Sequence, residues 1–392
     1  MNNCALICEY NPFHTGHAYQ LGRIRESGAD NIVCVMSGNF TQNGLPAFCD
    51  KALRAECAVL GGSDAVIELP TVYATASAGY FAEGALKIIS NIKDIKTLAM
   101  GVTAEPDVIS KLADIKITHA DEFAAERSAQ MSSGKSYNAA NTNALCALFE
   151  KKYGGNFNIS DTIADPNNML AIEYIVAIAK YAANIEPLLI KRRGAAHGDK
   201  GLDSEYASAT AIRDAFENGS YDRALAFLPF AGDAVLQYRQ AHAPDIRAFK
   251  KLAAYSLKAM PLDKISTLRD CSESMEYLIN KIKSNDYDTI VSATECKRYG
   301  KKRVARLLLD AALGIESRLL TRKFITRLLA KKSGFDVSIL PSCVKLRNSD
   351  IKLAATDPEI YSVLSVDERA AVLYNTISSA DGNYYNFGTV TI

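Results

Sequence analysis

Residues 9–17 read Glu9-Tyr10-Asn11-Pro12-Phe13-His14-Thr15-Gly16-His17, and they follow directly on a short apolar run at residues 4–8. A helical pattern begins at about His17 and continues to about residue 26. A short apolar run that meets a turn and then a helix is typical of the first β-α unit of a parallel sheet. Parallel sheets bind ligands outside the carboxyl ends of their strands, so this stretch is the first candidate site.

The rest of the first half repeats this alternation of apolar runs and helical patterns. Further apolar runs lie at residues 31–36, 64–69, 97–100 and 187–190, and helical patterns lie at residues 51–60, 77–91 and 169–183. Strands separated by helices favour parallel pairing with right-handed crossovers. The sequence therefore predicts an α/β fold with a doubly wound, Rossmann-like parallel sheet. Residues 106–162 look helical and polar, which indicates an insertion over one end of the sheet.

The hydrophobic pattern of the sequence changes after about residue 214, where helical periodicity dominates. Amphipathic helices are predicted over residues 262–284 and 301–313. A chain of 392 residues is long enough for two or three domains. We therefore predict an α/β catalytic domain over residues 1–225 and a mainly helical domain over residues 226–392.

Composition excludes some classes of protein. No stretch approaches the ~20 apolar residues of a membrane span, and the N-terminal run lacks the basic start and cleavage site of a signal peptide. The nine cysteines form no CxxC or CxxH pair, which argues against a zinc site. Reduced, buried thiols are typical of a cytoplasmic protein. The net charge of +1 gives no sign of a nucleic-acid binder when the chain is taken whole.

The chemistry at residues 9–17 centres on two histidines that flank a glycine. A helix N-terminus offers free N–H groups to a phosphate, and the imidazoles of His14 and His17 add donors. A flat base could lie against the backbone at Gly16, which has no Cβ. Two other interpretations stay open: a helix cap with a core residue, and a pair of metal ligands.

A second candidate phosphate site lies far downstream. Residues 208–213 read Ser208-Ala209-Thr210-Ala211-Ile212-Arg213 and open a helix. Hydroxyl groups at a helix start can donate to phosphate, and Arg213 can neutralise a leaving pyrophosphate. The alternative is an ordinary N-cap with a surface arginine.

These two motifs resemble those of the HIGH-type nucleotidyltransferase superfamily. Longer stretches narrow the resemblance to the bacterial tRNA(Met) cytidine acetate ligase family, and it covers essentially the whole chain. The stretches that carry it are residues 9–17, 35–44, 67–70, 166–170, 190–195, 268–273 and 297–299.

The resemblance implies a two-step reaction. ATP and acetate would form acetyl-adenylate and pyrophosphate, with Mg²⁺ expected alongside ATP and no need for acetyl-CoA. The acetyl group would then pass to the N4 amine of the wobble cytidine in elongator tRNA(Met), forming N4-acetylcytidine. The implied protein is a cytoplasmic, AMP-forming ligase without a membrane association, and its oligomeric state is open.

The resemblance also assigns residues. His14 and His17 would be catalytic and lie on the ATP phosphates. The implied ATP-binding residues are Ile7, Cys8, Glu9, Tyr10, Asn11, Pro12, Phe13, His14, Thr15, Gly16, His17, Ala18, Tyr19, Gln20, Gly101, Asn167, Arg192, Ser208 and Arg213. The choice between Arg192 and Arg193 is open, with the spacing from Asn167 favouring Arg192. Taken alone, Gly101 would be a turn glycine and Asn167 a helix N-cap. No metal ligands are assigned.

Two places depart from the family pattern. Residues 102–105 read Val-Thr-Ala-Glu where a Ser-Glu pair is usual, and residues 194–199 lack the tyrosine expected before His197 and Asp199. Both concern the local geometry of loops.

The C-terminal half contains a candidate RNA surface. Residues 297–332 hold twelve basic and two acidic residues, a local balance of +10. Such a density suits a phosphate backbone, and we expect tRNA contacts from Lys297, Arg298, Lys301, Lys302 and Arg303. Solvated helix faces are the alternative. Two other functions stay open: a small-molecule nucleotidyltransferase, and a non-catalytic RNA-binding protein on the same scaffold.

Overall fold

In a computed structural model of the chain, the described residues are 1–154, 158–193, 201–202, 205–272, 274–296, 299–380 and 388–392. Their strands are β1 Asn3–Cys8, β2 Asn31–Ser37, β3 Ala65–Leu69, β4 Ile95–Val102, β5 Glu186–Lys191, β6 Thr326–Lys331, β7 Val344–Lys345 and β8 Val390–Thr391.

The helices of the first half surround the strands in sequence. They are α1 Thr15–Glu26, α2 Lys51–Leu60, α3 Thr71–Ala74, α4 Ala78–Ile89, α5 Pro106–Ile117, α6 Ala120–Ser132, α7 Tyr137–Tyr153, α8 Ile159–Ala164, α9 Pro166–Tyr181 and α10 Ala209–Glu217.

Helices continue through the second half. They are α11 Tyr221–Leu225, α12 Gly232–His242, α13 Ile246–Ala259, α14 Leu262–Ile265, α15 Met275–Lys281, α16 Tyr287–Thr294, α17 Lys301–Leu313, α18 Asn348–Ala354 and α19 Pro358–Ser378, with short 3-10 helices at Ser317–Thr321 and Val337–Ile339.

The strands form one sheet in the order β5-β4-β1-β2-β3-β6-β7, and β8 pairs with β6. The strands from β5 to β3 run parallel. Because β2 and β3 lie on one side of β1 while β4 and β5 lie on the other, the strand order reverses between β1 and β4. Such a reversal opens a crevice at the carboxyl ends of the strands, and it confirms the predicted fold class.

Alternate side chains of β1 enter two different cores, as the strand period requires. Ala5 and Ile7 pack into one core together with α4, α5, α9, α13 and α17. Cys4 and Leu6 pack into the other with α1, α2, α10 and α12. Helices therefore cover both faces of the sheet.

The second half of the chain also contributes strands to the sheet. Strand β6 pairs antiparallel with β3, with Ala65 opposite Lys331 and Ile67 opposite Leu328. The sequence analysis did not predict this strand. The boundary near residue 225 stays a prediction, but β6 crosses it to complete the sheet.

The prediction of a helix over residues 262–284 was wrong in its extent. Residues 262–284 form two helices, α14 and α15, because the segment between them pairs its backbone elsewhere. Arg269 N donates to Ile315 O at 3.0 Å, and Ser317 N donates to Thr267 O at 3.0 Å. By contrast, residues 106–162 are helical over their described parts, as predicted.

Candidate active site

A cavity of about 250 Å³ opens at the carboxyl ends of β1 and β4. Thirteen of the ATP-binding residues proposed from the sequence line it: Ile7, Cys8, Glu9, Tyr10, Asn11, His14, His17, Gln20, Gly101, Asn167, Arg192, Ser208 and Arg213. Gly16 and Tyr19 line a smaller adjoining cavity that shares His14, Gln20, Gly101, Arg192 and Ser208 with the first. Pro12, Phe13, Thr15 and Ala18 are outside both sets of lining residues.

Both histidines use Nδ1 as an acceptor at the start of α1. His14 is the N-cap, and its Nδ1 accepts from Gly16 N at 3.1 Å, while His17 Nδ1 accepts from His14 N at 3.3 Å. The two rings stack with their centroids 3.8 Å apart. Because a neutral imidazole that accepts at Nδ1 carries its proton on Nε2, each ring keeps one N–H to donate.

The rings are neutral because they are buried among cations. Burial, with a further contribution from the guanidinium groups of Arg192 and Arg213, lowers the pKa of His14 to about 3. Burial, then His14 and Arg192, place the pKa of His17 well below its ordinary value. The pair therefore supplies fixed hydrogen-bond donors rather than a titrating base. His14 therefore caps α1, and its Nε2–H stays available for the predicted role as a donor.

Gly16 is required by the cap. A Cβ at Gly16 would lie 2.9 Å from His14 Cε1 and 3.1 Å from its Nδ1. These distances are shorter than van der Waals contact, so any larger residue would displace the His14 ring.

Two arginines face the histidines from other elements. Arg192 directly follows β5, where its N donates to Val102 O at 2.8 Å, and its Cγ would lie 3.3 Å from a Cβ at Gly101. Arg213, on α10, donates to Asn11 O at 2.6 Å and to Thr210 Oγ1 at 3.2 Å. Arg193 instead places its guanidinium 5.3 Å from the centre of the Tyr19 ring. Arg192, not Arg193, lines the larger cavity.

A buried arginine fixes the loop after β1. Arg54 on α2 is fully buried, and it donates to Glu9 O at 2.5 Å, to Cys49 O and Ser37 O at 3.1 Å each, and to Gly38 O. These bonds join the ends of β1 and β2. The side chain of Glu9 is fixed separately, because its Oε1 accepts from Gln42 N at 2.7 Å.

Other helix starts position the far wall of the cavity. Asp165 caps α9 by accepting from Asn167 N at 2.7 Å, and the same carboxylate accepts from Thr103 Oγ1 at 2.9 Å. Thr103 N donates to Asn168 Oδ1 at 2.9 Å. Thr103, part of the first departure from the family pattern, therefore anchors this wall. The second departure, at residues 194–199, lies outside the described residues.

Several lining residues were missed by the sequence analysis. They are Thr41, Gln42 and Asn43 after β2, Phe81 on α4, Leu170 and Tyr174 on α9, Met100 on β4, and Leu6 on β1. Residues 35–44 had been noted as a characteristic stretch without a role in the site. Apolar residues such as Phe81 and Leu170 carry no local signal, because their spacing is that of any core-facing helix.

Several described basic residues of the segment 297–332 are held by contacts within the protein. Arg306 pairs with Asp270 at 2.6 Å, Arg327 is buried, and Arg303 donates to Asp270 O at 2.9 Å and to Ser272 Oγ at 2.7 Å. Lys301 is exposed, with Glu295 at 3.4 Å. Lys302 is exposed and also lines the cavity. Lys297 and Arg298 lie outside the described residues.

In the part of the chain that the structure describes, no helix is long and apolar enough to cross a membrane. All nine cysteines are free. Within the same described residues, no three His, Cys, Asp or Glu side chains are grouped so that they could hold a metal ion.

The fold and the cavity define a class of protein. The family model of the HIGH nucleotidyl transferases matches residues 1–381. Curated relatives named tRNA(Met) cytidine acetate ligase come from Caldanaerobacter subterraneus, 36% identical over 81% of this chain and 80% of the relative, and from Clostridium perfringens, 31% identical over 96% of each.

Solved structures agree on the fold. A crystal structure of Thermotoga maritima TmcAL bound with alpha-thio ATP superposes with a TM-score of 0.87 at 23% identity, and an apo form superposes with a TM-score of 0.89 at 24% identity. Each comparison covers both chains completely. The chain belongs to the HIGH nucleotidyl transferase family and, within it, to the family of the tRNA(Met) cytidine acetate ligases.

Proposed function

We propose that this protein activates acetate with ATP and transfers the acetyl group to the N4 amine of the wobble cytidine of elongator tRNA(Met). Membership in the acetate ligase family supports the substrates. The observation that carries the chemistry is the pair of neutral imidazoles at the carboxyl end of β1, each with one N–H to donate beside Arg192 and Arg213.

The first step would be attack of acetate on the α-phosphorus of ATP. The acetate oxygen bonds to phosphorus, the bond to the β-phosphate oxygen breaks, and pyrophosphate leaves. His14 and His17 would donate from Nε2 to the phosphate oxygens as charge develops. Arg192 and Arg213 would offset the charge of the triphosphate and of pyrophosphate. Ser208 Oγ accepts from Ala211 N at 3.0 Å, which fixes the Ser208 side chain at the start of α10, where it lines the cavity.

The remaining ATP contacts are proposed from the positions of residues around the two cavities. Gly101 and the residues from Ile7 to Gln20 would surround the nucleotide, with Gly16 and Tyr19 beside the smaller cavity. Asn167 would hydrogen-bond it from α9. Mg²⁺ would enter with ATP and be held by phosphate oxygens and water, as this ion commonly is.

The tRNA would approach from α17. Lys302 lines the cavity and is exposed, so it can bind RNA phosphate next to the reacting atoms. Lys301 lies one position away on the same helix start. Together with Lys297, Arg298 and Arg303 they form the proposed tRNA contact. Because tRNA is found in the cytoplasm, we place the enzyme there.

Acetate-dependent exchange of pyrophosphate into ATP, followed by transfer of labelled acetate to tRNA(Met), tests the proposal. We expect both, and we expect His17→Ala to abolish exchange while tRNA binding persists. Exchange without transfer would indicate a small-molecule nucleotidyltransferase, and the absence of both would indicate an RNA-binding protein. Unchanged exchange in His17→Ala would show that the site is misplaced.

The tRNA surface has its own test. Replacing Lys301 and Lys302 together by alanine should weaken tRNA binding and reduce the salt slope of the affinity by about one for each lost phosphate contact. The matched control replaces Lys331 and Lys332. Lys331 pairs with Ala65 at the amino end of β3, whereas the cavity lies at the carboxyl ends of the parallel strands. A salt-steep affinity that survives in the first variant would contradict the assignment.

A further inference from the structure

Acyl transfer to a cytosine amine releases a proton, and the cavity must provide a group to receive it. The two histidines are unsuited, because both Nδ1 atoms accept backbone hydrogen bonds and the pKa values of both rings are depressed. Burial holds the pKa values of the Tyr174 hydroxyl and the Cys8 thiol well above their ordinary ranges, so both stay protonated. The arginines and Lys302 carry protons already.

One carboxylate remains. Glu9 is the sole acidic residue among the described residues that line the cavity. Its Oε1 accepts from Gln42 N at 2.7 Å, and its backbone carbonyl is held by Arg54 at 2.5 Å. No hydrogen bond from the described residues reaches Oε2, and the half-buried Glu9 lines the cavity. One oxygen is thus anchored while the other is open to a ligand.

The surroundings of Glu9 suit the polar edge of a nucleobase. The buried Nε2 of Gln42, which lines the same cavity, has no hydrogen-bond partner among the described residues. Cytosine carries an acceptor at N3 next to its N4 amine, so it could accept from this amide while its amine donates to the carboxylate. Glu9 lines the same cavity as the histidine pair and Lys302, the residues proposed to bind the adenylate and the RNA.

We propose that Glu9 is the general base of the transfer step. This inference rests on the proposed function. The N4 nitrogen bonds to the acetyl carbon, the bond from that carbon to the adenylate oxygen breaks, and AMP leaves with the electron pair. Glu9 Oε2 takes the proton that the amine loses and passes it to water.

The ionisation of Glu9 fits this role. Burial raises its pKa above the ordinary value, while the Gln42 N–H, Arg54, Arg213 and Lys302 act in the opposite direction. Because the base must be deprotonated, the rate of transfer should fall as the pH falls through this raised pKa. The groups that face Glu9 are Cys8 and Tyr10 beside it, Arg54 on α2, Tyr174 on α9, Arg213 on α10 and Lys302 on α17.

The test separates the two steps in Glu9→Gln, whose amide oxygen can still accept from Gln42 N. Because Glu9 also lines the ATP cavity, acetate-dependent ATP–pyrophosphate exchange should fall as well, but at least about tenfold less than transfer, since the first step needs no base. Single-turnover transfer to tRNA(Met) should fall by about 100-fold or more, the usual effect of losing a general base. The fall of the transfer rate at low pH should disappear in Glu9→Gln. Glu9→Asp should restore this fall, with a reduced transfer rate.

Glu26→Gln makes the same chemical change on the exposed surface of α1 and should leave both steps unchanged. Equal losses of exchange and transfer in Glu9→Gln would assign Glu9 to the adenylation step and overturn the proposal, as would an unchanged transfer rate. If the wild type shows no acetate-dependent exchange, the proposed function fails, and the role of Glu9 fails with it.

Discussion

At the level of single residues, the geometry of His14 depends on Gly16, which has no side chain. The Nδ1 of His14 must reach the N–H of Gly16, and the ring then covers the position that a Cβ would occupy, 2.9 Å from Cε1. The glycine therefore sets the tautomer and the direction of the His14 donor.

Gly16→Ala should displace the His14 ring and reduce acetate-dependent exchange strongly, while unfolding free energy changes by only about 0.5–2 kcal/mol, the usual value of an N-cap. Gly22→Ala is the matched control on the same helix, because no atom lies within 4 Å of its Cβ position. It should leave exchange intact and stabilise the helix by about 0.5–1 kcal/mol. Equal exchange in the two variants would contradict this account of His14.

At this scale, polar site residues were predictable and apolar ones were not. Histidine, arginine and serine at the ends of strands and the starts of helices carry a chemical reason for being there. Phe81, Leu170 and Tyr174 line the same cavity, but a sequence cannot distinguish a side chain that faces a cavity from one that faces the core.

At the level of elements, buried charges connect segments that are distant in the sequence. Arg269 follows α14, and its guanidinium donates to Val72 O at 2.7 Å, to Thr75 O at 2.9 Å and to buried Asp310 on α17. One side chain thus satisfies the end of α3 and the carboxylate of another helix.

Arg269→Met should lower the free energy of unfolding by about 3–5 kcal/mol, because it leaves Asp310 buried without its cation. Urea denaturation measures the change. Lys250→Met is the control, since it removes a cation from a pair whose partner Asp288 is largely exposed, for which about 0–1 kcal/mol is expected. Similar losses in both variants would show that the buried network adds nothing beyond a surface pair.

The elements also show why prediction from the sequence succeeded and failed where it did. The first five strands are apolar runs between turn residues, and all five were predicted. Strand β6 contains Arg327 and ends at Lys331, so its residues were counted as part of a basic segment. Its role depends on pairing with β3, more than 250 positions away, which no local pattern reveals.

For the whole molecule, the two halves of the chain share a core. Tyr73 Oη donates to Leu320 O at 2.7 Å, Tyr374 Oη donates to Ala47 O at 3.1 Å, and the Phe40 ring lies 5.9 Å from that of Phe249. The second half therefore completes the packing of the first as well as carrying the basic residues.

A fragment of residues 1–225 should lack cooperative unfolding and native near-ultraviolet circular dichroism, because β3 would become an open edge and the core on one face would be exposed. The full chain is the control and should unfold in one cooperative transition. A folded, cooperative fragment would contradict the shared core and support two independent domains.

The central claim is that the cavity at the carboxyl end of β1 activates acetate with ATP for transfer to tRNA. The most direct measurement incubates the protein with labelled acetate, ATP and elongator tRNA(Met), without coenzyme A, and digests the tRNA to nucleosides. We expect label in N4-acetylcytidine at the wobble position for the wild type and none for His17→Ala. Label that requires acetyl-CoA, or that persists in His17→Ala, would contradict it.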